Sequence, residues 1–140
     1  MSKRINILYL HGFNSSPQSM KAQLTKTYFN EKFPDISFFC PQLASSPEGI
    51  IEQLTSLIAL KSDGESLWYF IGSSLGGYFS TYLSEKYQSK AVLINPAVKP
   101  FKLLADYLGE QTNPYTGEVY SIEPHSIKTL KRIEQKIISK

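Results

Sequence analysis

Residues 72 to 76 read Gly-Ser-Ser-Leu-Gly, a G-x-S-x-G pattern centred on Ser74. The pattern is typical of a serine held at the tip of a sharp turn between a strand and a helix, where its hydroxyl is exposed as a nucleophile. Gly72 and Gly76 would let the turn close, and the first amides of the helix would face a developing acyl oxyanion. The pattern therefore predicts acyl chemistry at Ser74. The alternative is a glycine-rich turn that only lets a helix pack close to a strand.

A second polar segment, His11-Gly12-Phe13, follows the first apolar run of the chain. In a parallel sheet the loops after neighbouring strands meet at the carboxyl edge, so this loop is expected to face Ser74. The backbone amide of Phe13 is then a candidate oxyanion donor beside the amide of Leu75. His11 is predicted to fix the loop by hydrogen bonding rather than to act as a base.

The elements that would position these residues are short. Four apolar segments are predicted to be strands, namely residues 5–10, 36–39, 67–71 and 91–94. The intervening segments carry apolar residues at helical spacing. Because strands that alternate with helices form a parallel sheet covered on both faces, the sequence predicts an α/β fold with three layers, helix on sheet on helix.

Capping residues predict where two of the helices begin. Ser16 followed by Pro17 suits an N-cap and a first helical position, and an apolar face then recurs at four-residue spacing in Met20, Leu24 and Tyr28. The Ser45-x-x-Glu48 pattern suits a capping box before a second helix. That helix has an apolar face made of Ile50, Ile51, Leu54, Leu57 and Ile58. Both apolar faces are expected to pack on the sheet.

Beyond residue 96, prolines and glycines become frequent. A short helix is predicted near residues 101–108, followed by a tyrosine-rich stretch that forms a loop or a small cap. Residues 126–138 are predicted to form a final amphipathic helix. We expect one domain over residues 1–140, of which about 126–140 form a basic terminal helix.

Composition narrows the class of protein. A chain of 140 residues that is 41% hydrophobic and 19% charged is expected to be an ordinary folded globule, which excludes disordered, collagen-like and coiled-coil classes. The formal net charge is +3, and residues 126–140 hold five of the fifteen basic residues but one of the twelve acidic ones. The basic balance belongs to this tail, so a general nucleic-acid-binding surface is not expected.

The sequence contains no recognisable signal peptide, membrane span or metal-binding motif. The apolar run at residues 5–10 is too short for a signal peptide, and no run approaches a membrane span, so a cytoplasmic protein without membrane contact is expected. The spacing of Cys40, His11 and His125 does not resemble a zinc cluster. Neither a metal nor another cofactor is expected.

Four segments together carry a resemblance to a known family. They are Leu-Tyr-Leu-His-Gly-Phe-Asn-Ser-Ser-Pro at 8–17, Gly-Ser-Ser-Leu-Gly-Gly-Tyr at 72–78, Asn-Pro-Ala-Val at 95–98 with Pro100-Phe101, and Asn-Pro-Tyr-Thr-Gly at 113–117. Over residues 5 to about 125 the chain resembles the YqiA-type esterases, small α/β-hydrolases of bacteria. The resemblance implies an α/β-hydrolase fold, hydrolysis of short acyl esters and no cofactor. It also implies that Ser74 is the nucleophile and that the Phe13 and Leu75 amides form the oxyanion hole.

The catalytic base and acid are the open part of this hypothesis. A serine nucleophile needs an imidazole base that a carboxylate orients. Relatives carry the acid after one further strand and the histidine on a later loop. The strands that would precede these two positions are not predicted here, so we expect a C-terminally incomplete α/β-hydrolase. The only later histidine, His125, is the candidate base, with Asp106 or Glu123 as its acid. The alternative for His125 is a surface or loop-anchoring role, and for the carboxylates a solvated position.

Two consequences follow for the chain as given. It is expected to show at most weak Ser74-dependent turnover. A strand left at the sheet edge would expose unpaired backbone groups, so we also expect marginal stability or association into a homo-oligomer through that edge.

Other functions stay open. The chain could be a non-catalytic relic or an interaction module, and acyltransferases and thioesterases share the same machinery. The basic tail (Lys128, Lys131, Arg132, Lys136 and Lys140) could contact anionic membranes or nucleic acid, although a solvated helix packed on the body is the simpler interpretation. Five aromatic residues are candidate walls of an acyl pocket or else fill the core, namely Phe13, Tyr78, Phe101, Tyr115 and Tyr120.

Overall fold

The computed structural model of the protein describes residues 4–97 and 99–134. In chain order the elements are β1 (Arg4–Leu10), α1 (Met20–Lys32), β2 (Ser37–Phe39), α2 (Pro47–Lys61), β3 (Ser66–Ser73), α3 (Leu75–Tyr87), β4 (Ala91–Ile94), α4 (Pro100–Ala105), β5 (Gly109–Thr112), β6 (Val119–Ile122) and α5 (Pro124–Arg132). The four predicted strands are all present. They alternate with the predicted helices.

The main sheet has the strand order β2-β1-β3-β4, and all its pairs are parallel. β1 and β3 pair along their length, from Arg4 opposite Ser66 to Leu10 opposite Gly72. Because the two strands end side by side, the loops that follow them begin at the same edge of the sheet. This register brings the segment after Leu10 next to the turn that contains Ser74.

Helices cover both faces of this sheet. The step from β1 to β2 runs in the opposite direction to the steps from β2 to β3 and from β3 to β4, so right-handed crossovers put α1 on one face and α2 and α3 on the other. The larger core lies on the α2 and α3 side and includes Leu8, Leu10, Leu54, Phe70, Phe79 and Leu83. On the α1 side, Phe29 stacks on Phe38 with ring centroids 5.8 Å apart. The predicted three-layer α/β fold is confirmed.

The start and orientation of α1 differ from the prediction. The N-cap is Ser19, whose hydroxyl accepts a hydrogen bond from the Ala22 amide at 3.4 Å, whereas the Ser16 hydroxyl accepts from Gln18 in the preceding turn. The predicted apolar face points to solvent, with Met20 77% exposed and Leu24 and Tyr28 more than half exposed. Ala22 is buried instead, because the side of α1 that carries it packs on the sheet and the side that carries Met20 and Leu24 faces solvent.

The predicted face of α2 is correct, and its cap is shifted by one residue. Ser46, not Ser45, is the N-cap, and its hydroxyl accepts from the Gly49 amide at 3.1 Å while Pro47 occupies the first turn. Ile50, Leu54 and Ile58 are buried against the sheet. Each buried side chain of this size contributes about 1.5–3 kcal/mol. This face fixes the position of α2 beside the loop that follows β1.

The segment predicted to be a loop or small cap contains an antiparallel hairpin, β5 with β6, which is separate from the main sheet. Gly109 and Gly117 have positive φ angles of 102° and 76°, which glycine adopts without steric cost. The predicted terminal helix is present as α5, which begins at Pro124 and ends at Arg132, so its predicted continuation over residues 133–134 is wrong and that over 135–138 lies outside the described residues. Thr129 and Leu130 of α5 are buried, and α5 packs on α2 and α4.

Among the described strands of the main sheet, β4 lies at one edge and β2 at the other. Val92 is 60% exposed and Leu93 is 40% exposed. An edge of this kind leaves backbone donors and acceptors that another strand can pair with.

Candidate active site

Ser74 lies at the turn between β3 and α3 with φ 56° and ψ −119°. Positive φ is costly for a residue with a side chain and persists only where the surroundings impose it. Three backbone hydrogen bonds impose it here. The Ser74 amide donates to Ile94 at 3.0 Å, and the Ser74 carbonyl accepts from Gly77 at 3.0 Å and from Ala97 at 2.8 Å. The backbone is thus held in the strained geometry that the G-x-S-x-G pattern predicts.

The two glycines of the pattern are required by close packing. A β-carbon on Gly76 would lie 2.0 Å from the carbonyl oxygen of Leu10, and one on Gly72 would lie 2.3 Å from that of Gly76. Real β-carbons essentially never approach other atoms to less than 3.0 Å. A side chain at Gly76 would push α3 away from β1, and one at Gly72 would push α3 away from β3, so the packing requires glycine at both positions.

The loop after β1 touches the turn at Gly12. A β-carbon on Gly12 would lie 3.0 Å from the Ser74 β-carbon and 3.5 Å from its Oγ. The next residue, Phe13, and the residue after the serine, Leu75, line the same cavity. Within the described part of the chain, neither the Phe13 amide nor the Leu75 amide donates a hydrogen bond. The loop therefore brings the unengaged Phe13 N–H to the neighbourhood of Ser74, beside the unengaged N–H of Leu75 at the start of α3.

His11 anchors this loop to the body of the protein. Its Nε2 accepts a hydrogen bond from the Leu43 amide at 2.9 Å, and its Nδ1 lies 3.0 Å from the Gly12 carbonyl oxygen. Since an amide can only donate, Nδ1 carries the ring proton. Burial lowers the pKa of His11, and the hydrogen bond to Gly12 opposes this less strongly. Both ring nitrogens are engaged, so His11 has the anchoring contacts predicted for it and no lone pair free for Ser74.

Ser74 opens onto a cleft of about 320 Å³ between the loop and the start of α1. The cleft is lined by residues that include Tyr9, Ser15, Ser19, Met20, Lys21 and Ser73. The neighbouring serine, Ser73, is buried at the end of β3 and is hydrogen-bonded to the Tyr9 hydroxyl. Burial raises the pKa of Tyr9 more than this hydrogen bond lowers it. Of the two serines, Ser74 is the more accessible.

A second, more enclosed cavity of about 50 Å³ lies on the other side of the loop. His11, Gly12 and Phe13 line both cavities, so the two cavities adjoin along this loop, and Ser74 lines the open cleft while Leu75 lines the enclosed cavity. The far side of the enclosed cavity is largely apolar and includes Leu43, Ile50, Leu104 and Ile122. Space of this size next to the two free amides fits a few carbon atoms.

The structure does not bring His125 to Ser74. His125 lies at the start of α5 with 67% of its side chain exposed, and its Nε2 is 4.0 Å from Glu48 Oε1 at the start of α2. It is not among the residues lining the cleft of Ser74. The reason is that α5 packs beside α2 and α4 rather than at the turn. Asp106 and Glu123 are also exposed, and neither lines the cleft.

The five aromatic residues predicted as possible walls of an acyl pocket lie in three different places: the lining of the enclosed cavity, the core and the surface. Phe13 and Tyr120 line the enclosed cavity. Tyr78 and Phe101 are buried in the core, where the Tyr78 hydroxyl donates to the Leu130 carbonyl oxygen at 2.5 Å, and Tyr115 is exposed. Burial raises the pKa of Tyr78 to about 12. Only Phe13 and Tyr120 can therefore contact a group in that cavity.

Two other groups bear on the chemistry available. Burial raises the pKa of the Cys40 thiol to about 11, so the thiol is protonated near neutral pH and does not compete with Ser74 as a nucleophile. Among the described residues, no three His, Cys, Asp or Glu side chains are grouped as a metal ion would require.

The sequence did not predict the hydrogen bonds between the β5–β6 hairpin region and the loop after β1. Asn14 has φ 51°, and its Oδ1 accepts a hydrogen bond from the Tyr120 hydroxyl of β6. Asn113, before the hairpin turn, donates from Nδ2 to the Ser15 carbonyl oxygen at 3.0 Å. The Asn113-Pro114 pair is a turn signal in the sequence, but no local signal indicates a partner 98 residues away.

Comparison with protein families gives one match over nearly the whole chain. Residues 6–140 match the model of an uncharacterised protein family, UPF0227. The match agrees with the resemblance to the YqiA-type esterases.

Solved structures with related folds are α/β-hydrolases. A provisionally assigned hydrolase of Agrobacterium vitis S4 has a TM-score of 0.65 at 14% identity, over 94% of this chain and 62% of that one. The mouse α/β hydrolase domain-containing protein 10 has a TM-score of 0.57 at 17% identity, over 91% and 61%. One of the metagenome-derived lipolytic enzymes LipS and LipT has a TM-score of 0.57 at 21% identity, over 95% and 65%. The chain has the α/β-hydrolase fold and spans less than two thirds of the length of these structures. None of its described helices is long and apolar enough to cross a membrane.

Proposed function

The chain belongs to the UPF0227 family, and on that premise we propose that it is a serine esterase in which Ser74 attacks short acyl esters. The observation that carries the proposal is the backbone of Ser74, held at φ 56° between β3 and α3 by three hydrogen bonds. A strained conformation that the surrounding structure enforces is a reason to look for function. The α/β-hydrolase fold supports the same assignment but does not by itself specify the reaction.

In the proposed reaction, Ser74 Oγ forms a bond to the acyl carbon while its proton passes to a base. The carbonyl oxygen becomes an oxyanion and accepts hydrogen bonds from the Phe13 and Leu75 amides. The tetrahedral intermediate then expels the alcohol, which takes up a proton, and leaves an acyl group on Ser74. Water hydrolyses this acyl-enzyme by the same steps and releases the carboxylic acid.

The base is the part of the mechanism that the described residues do not supply. His11 uses both ring nitrogens in the loop, and His125 is paired with Glu48 outside the cleft. We therefore leave His125, Asp106 and Glu123 out of the proposed machinery. The two histidines of the sequence are His11 and His125, so the proposal assigns the base to a histidine that this sequence does not contain, for example on a partner chain.

The enclosed cavity supports a short acyl group. It adjoins Phe13 and Leu75, has an apolar far wall and measures about 50 Å³. Pockets that take drug-sized ligands measure roughly 300–1,000 Å³. An acyl group that reaches this cavity from the adjoining cleft of Ser74 would fill it with about two to four carbons, and a longer chain would have to lie in the open cleft.

Ester hydrolysis by the native protein from its source cells tests the proposal. The substrates are p-nitrophenyl esters of increasing acyl length, and the variants are Ser74→Ala and Ser56→Ala. Ser56 is an exposed serine in the middle of α2, so it serves as the control. Loss of the nucleophile is expected to reduce kcat/KM by at least about 1,000-fold.

The outcomes separate the alternatives. Equal hydrolysis by wild type and Ser74→Ala would refute the proposal and favour the non-catalytic alternatives. Ser74-dependent release that requires an added alcohol or thiol acceptor would indicate an acyltransferase instead. Faster hydrolysis of thioesters than of matched esters would indicate a thioesterase.

A further inference from the structure

The hairpin β5–β6 touches the loop after β1 at two points on opposite sides of the same turn. The turn spans Gly12 to Ser15 and is closed by a hydrogen bond from the Ser15 amide to the Gly12 carbonyl oxygen at 3.2 Å. Phe13 and Asn14 are its central residues. The Phe13 amide, proposed above as an oxyanion donor, therefore belongs to a turn whose shape decides where that N–H points.

The conformation of this turn depends on Asn14. Its φ angle of 51° lies in the left-handed region, which asparagine tolerates better than most residues but which still costs free energy. Its side chain does not stabilise the turn from within. Instead, Asn14 Oδ1 accepts a hydrogen bond from the Tyr120 hydroxyl, which comes from the second strand of the hairpin, 106 residues later in the chain.

The second contact is at the other end of the turn. The Ser15 carbonyl oxygen accepts two hydrogen bonds, one from Asn113 Nδ2 at 3.0 Å and one from Gln42 Nε2 at 3.1 Å. Gln42 belongs to the body of the protein, and Asn113 belongs to the hairpin. The turn is thus held between the two.

Asn113 is itself fixed by the hairpin loop. Its Oδ1 accepts from the amides of Tyr115 at 2.8 Å and Thr116 at 3.2 Å, and its carbonyl oxygen accepts from Gly117 at 2.8 Å. It is 5% exposed. The amide that reaches Ser15 is therefore supported by the hairpin and is not a freely rotating surface group.

We infer that the β5–β6 hairpin acts as a clamp: it fixes the conformation of residues 12–15, here called the oxyanion loop. Tyr120 and Asn113 are then positioning residues for the Phe13 amide. This inference rests on the proposed function for its catalytic consequence. Tyr120 acts through Asn14 by holding the left-handed conformation, and Asn113 acts through the Ser15 carbonyl. Burial, reinforced by nearby Glu118, raises the pKa of Tyr120, so its hydroxyl remains a donor through the neutral range.

The test compares Tyr120→Phe with Tyr115→Phe in the native protein. Tyr115 lies in the same hairpin and is exposed. Tyr120→Phe is expected to lower kcat/KM for a short ester about three- to tenfold, mainly through kcat, because one hydrogen bond to the turn is lost. Tyr115→Phe should match the wild type. Unchanged kcat/KM in Tyr120→Phe, with Ser74-dependent hydrolysis intact in the wild type, would overturn the clamp and leave the proposed function standing.

A double-mutant cycle separates positioning from general stability. Asn14→Gly keeps the positive φ without needing a side-chain partner, because glycine adopts this region freely. If Tyr120 acts through Asn14, Tyr120→Phe should have no further effect on kcat in the Asn14→Gly background. An equal loss in both backgrounds would mean that the Tyr120 hydroxyl acts by another route, and would overturn the inference.

Amide hydrogen exchange tests the clamp without any catalytic readout. Tyr120→Phe is expected to speed exchange across residues 12–15, whereas the amides of α3 keep their wild-type rates. Unchanged exchange in that loop would refute the clamp. If the wild type shows no Ser74-dependent hydrolysis, the proposed function fails, and this measurement alone decides whether the hairpin holds the loop.

Discussion

Replacing Gly76 with alanine should damage the fold as well as the site. A β-carbon there would lie 2.0 Å from the carbonyl oxygen of Leu10 and 2.6 Å from that of His11. Ordinary contacts of a β-carbon begin at about 3.4 Å, so the backbones must separate by about 1.4 Å. Leu10 is fully buried at the end of the central strand β1, and the obstructing atoms are backbone, so no side-chain rotation relieves the clash.

The expected cost lies at the upper end of the range for overpacked cores, about 3 kcal/mol. For a chain of this length, that corresponds to a fall in Tm of roughly 10 °C. Gly64→Ala is the matched control, since no atom lies within 4 Å of a β-carbon there. That variant should stay within about 0.5 kcal/mol of the wild type.

Urea unfolding followed by tryptophan fluorescence measures both variants. Trp68 is the single tryptophan of the chain and is buried in β3, the strand that leads into the Ser74 turn. The packing argument would be refuted if the unfolding free energy of Gly76→Ala lay within about 0.5 kcal/mol of the wild-type value, which is the range expected for Gly64→Ala. It would mean that α3 and β1 separate at little cost.

Three further predictions concern the same structure. Because burial lowers the pKa of His11, the unfolded chain binds its proton more readily, and stability should fall as pH drops below about 6.5. Wild type should therefore lose more stability than His11→Gln between pH 7.5 and 5.5 in urea titrations, and parallel profiles would contradict this. The 140-residue chain should self-associate through β4, and Val92→Lys should reduce its apparent mass in concentration-dependent sedimentation. A sharp, reversible unfolding transition of a monomeric wild type would count against that. Because neither histidine of the sequence is free to act on Ser74, the 140-residue chain by itself should hydrolyse short esters slowly, and a kcat/KM in the usual enzymatic range of about 10⁴–10⁸ M⁻¹s⁻¹ would remove the need for a base from elsewhere.

The sequence predicted the four strands and the turn at Ser74, whose conformations depend on residues close together in the chain. The four strands are dense apolar runs ended by glycine or proline, and the predicted strand at residues 91–94 coincides with β4. The turn at Ser74 was predictable because close contacts exclude any residue but glycine at positions 72 and 76, and those two glycines are visible in the sequence. The position of the loop at Gly12 followed from the topology of parallel strands alone.

The features that the sequence did not predict depend on tertiary position. Met20, Leu24 and Tyr28 have the spacing of a buried face, yet they point outward because α1 meets the sheet through Ala22 and Phe29. The β5–β6 hairpin has exposed and polar residues on both strands, so no alternating apolar pattern marks it.

Distance along the chain explains the remaining differences. His125 follows Ser74 in a permissible order, but α5 packs beside α2, and the histidine meets Glu48 instead of the cleft. The contacts of Tyr120 and Asn113 with the oxyanion loop join residues about 100 positions apart. Such pairings are decided by how the hairpin docks, which no window of the sequence contains.

Covalent labelling of Ser74 tests the central claim most directly. The native protein and its Ser74→Ala and Ser56→Ala variants, each produced in the source cells, are treated with a small fluorophosphonate, and the modified residue is located by mass spectrometry. Ser73 and Ser74 are adjacent, so the alanine variant is needed to assign the label. We predict one label per chain on Ser74 in the wild type and in Ser56→Ala, and none in Ser74→Ala. A wild-type protein that takes no label, or a Ser74→Ala protein labelled as fully as the wild type, would contradict the assignment of Ser74 as the nucleophile.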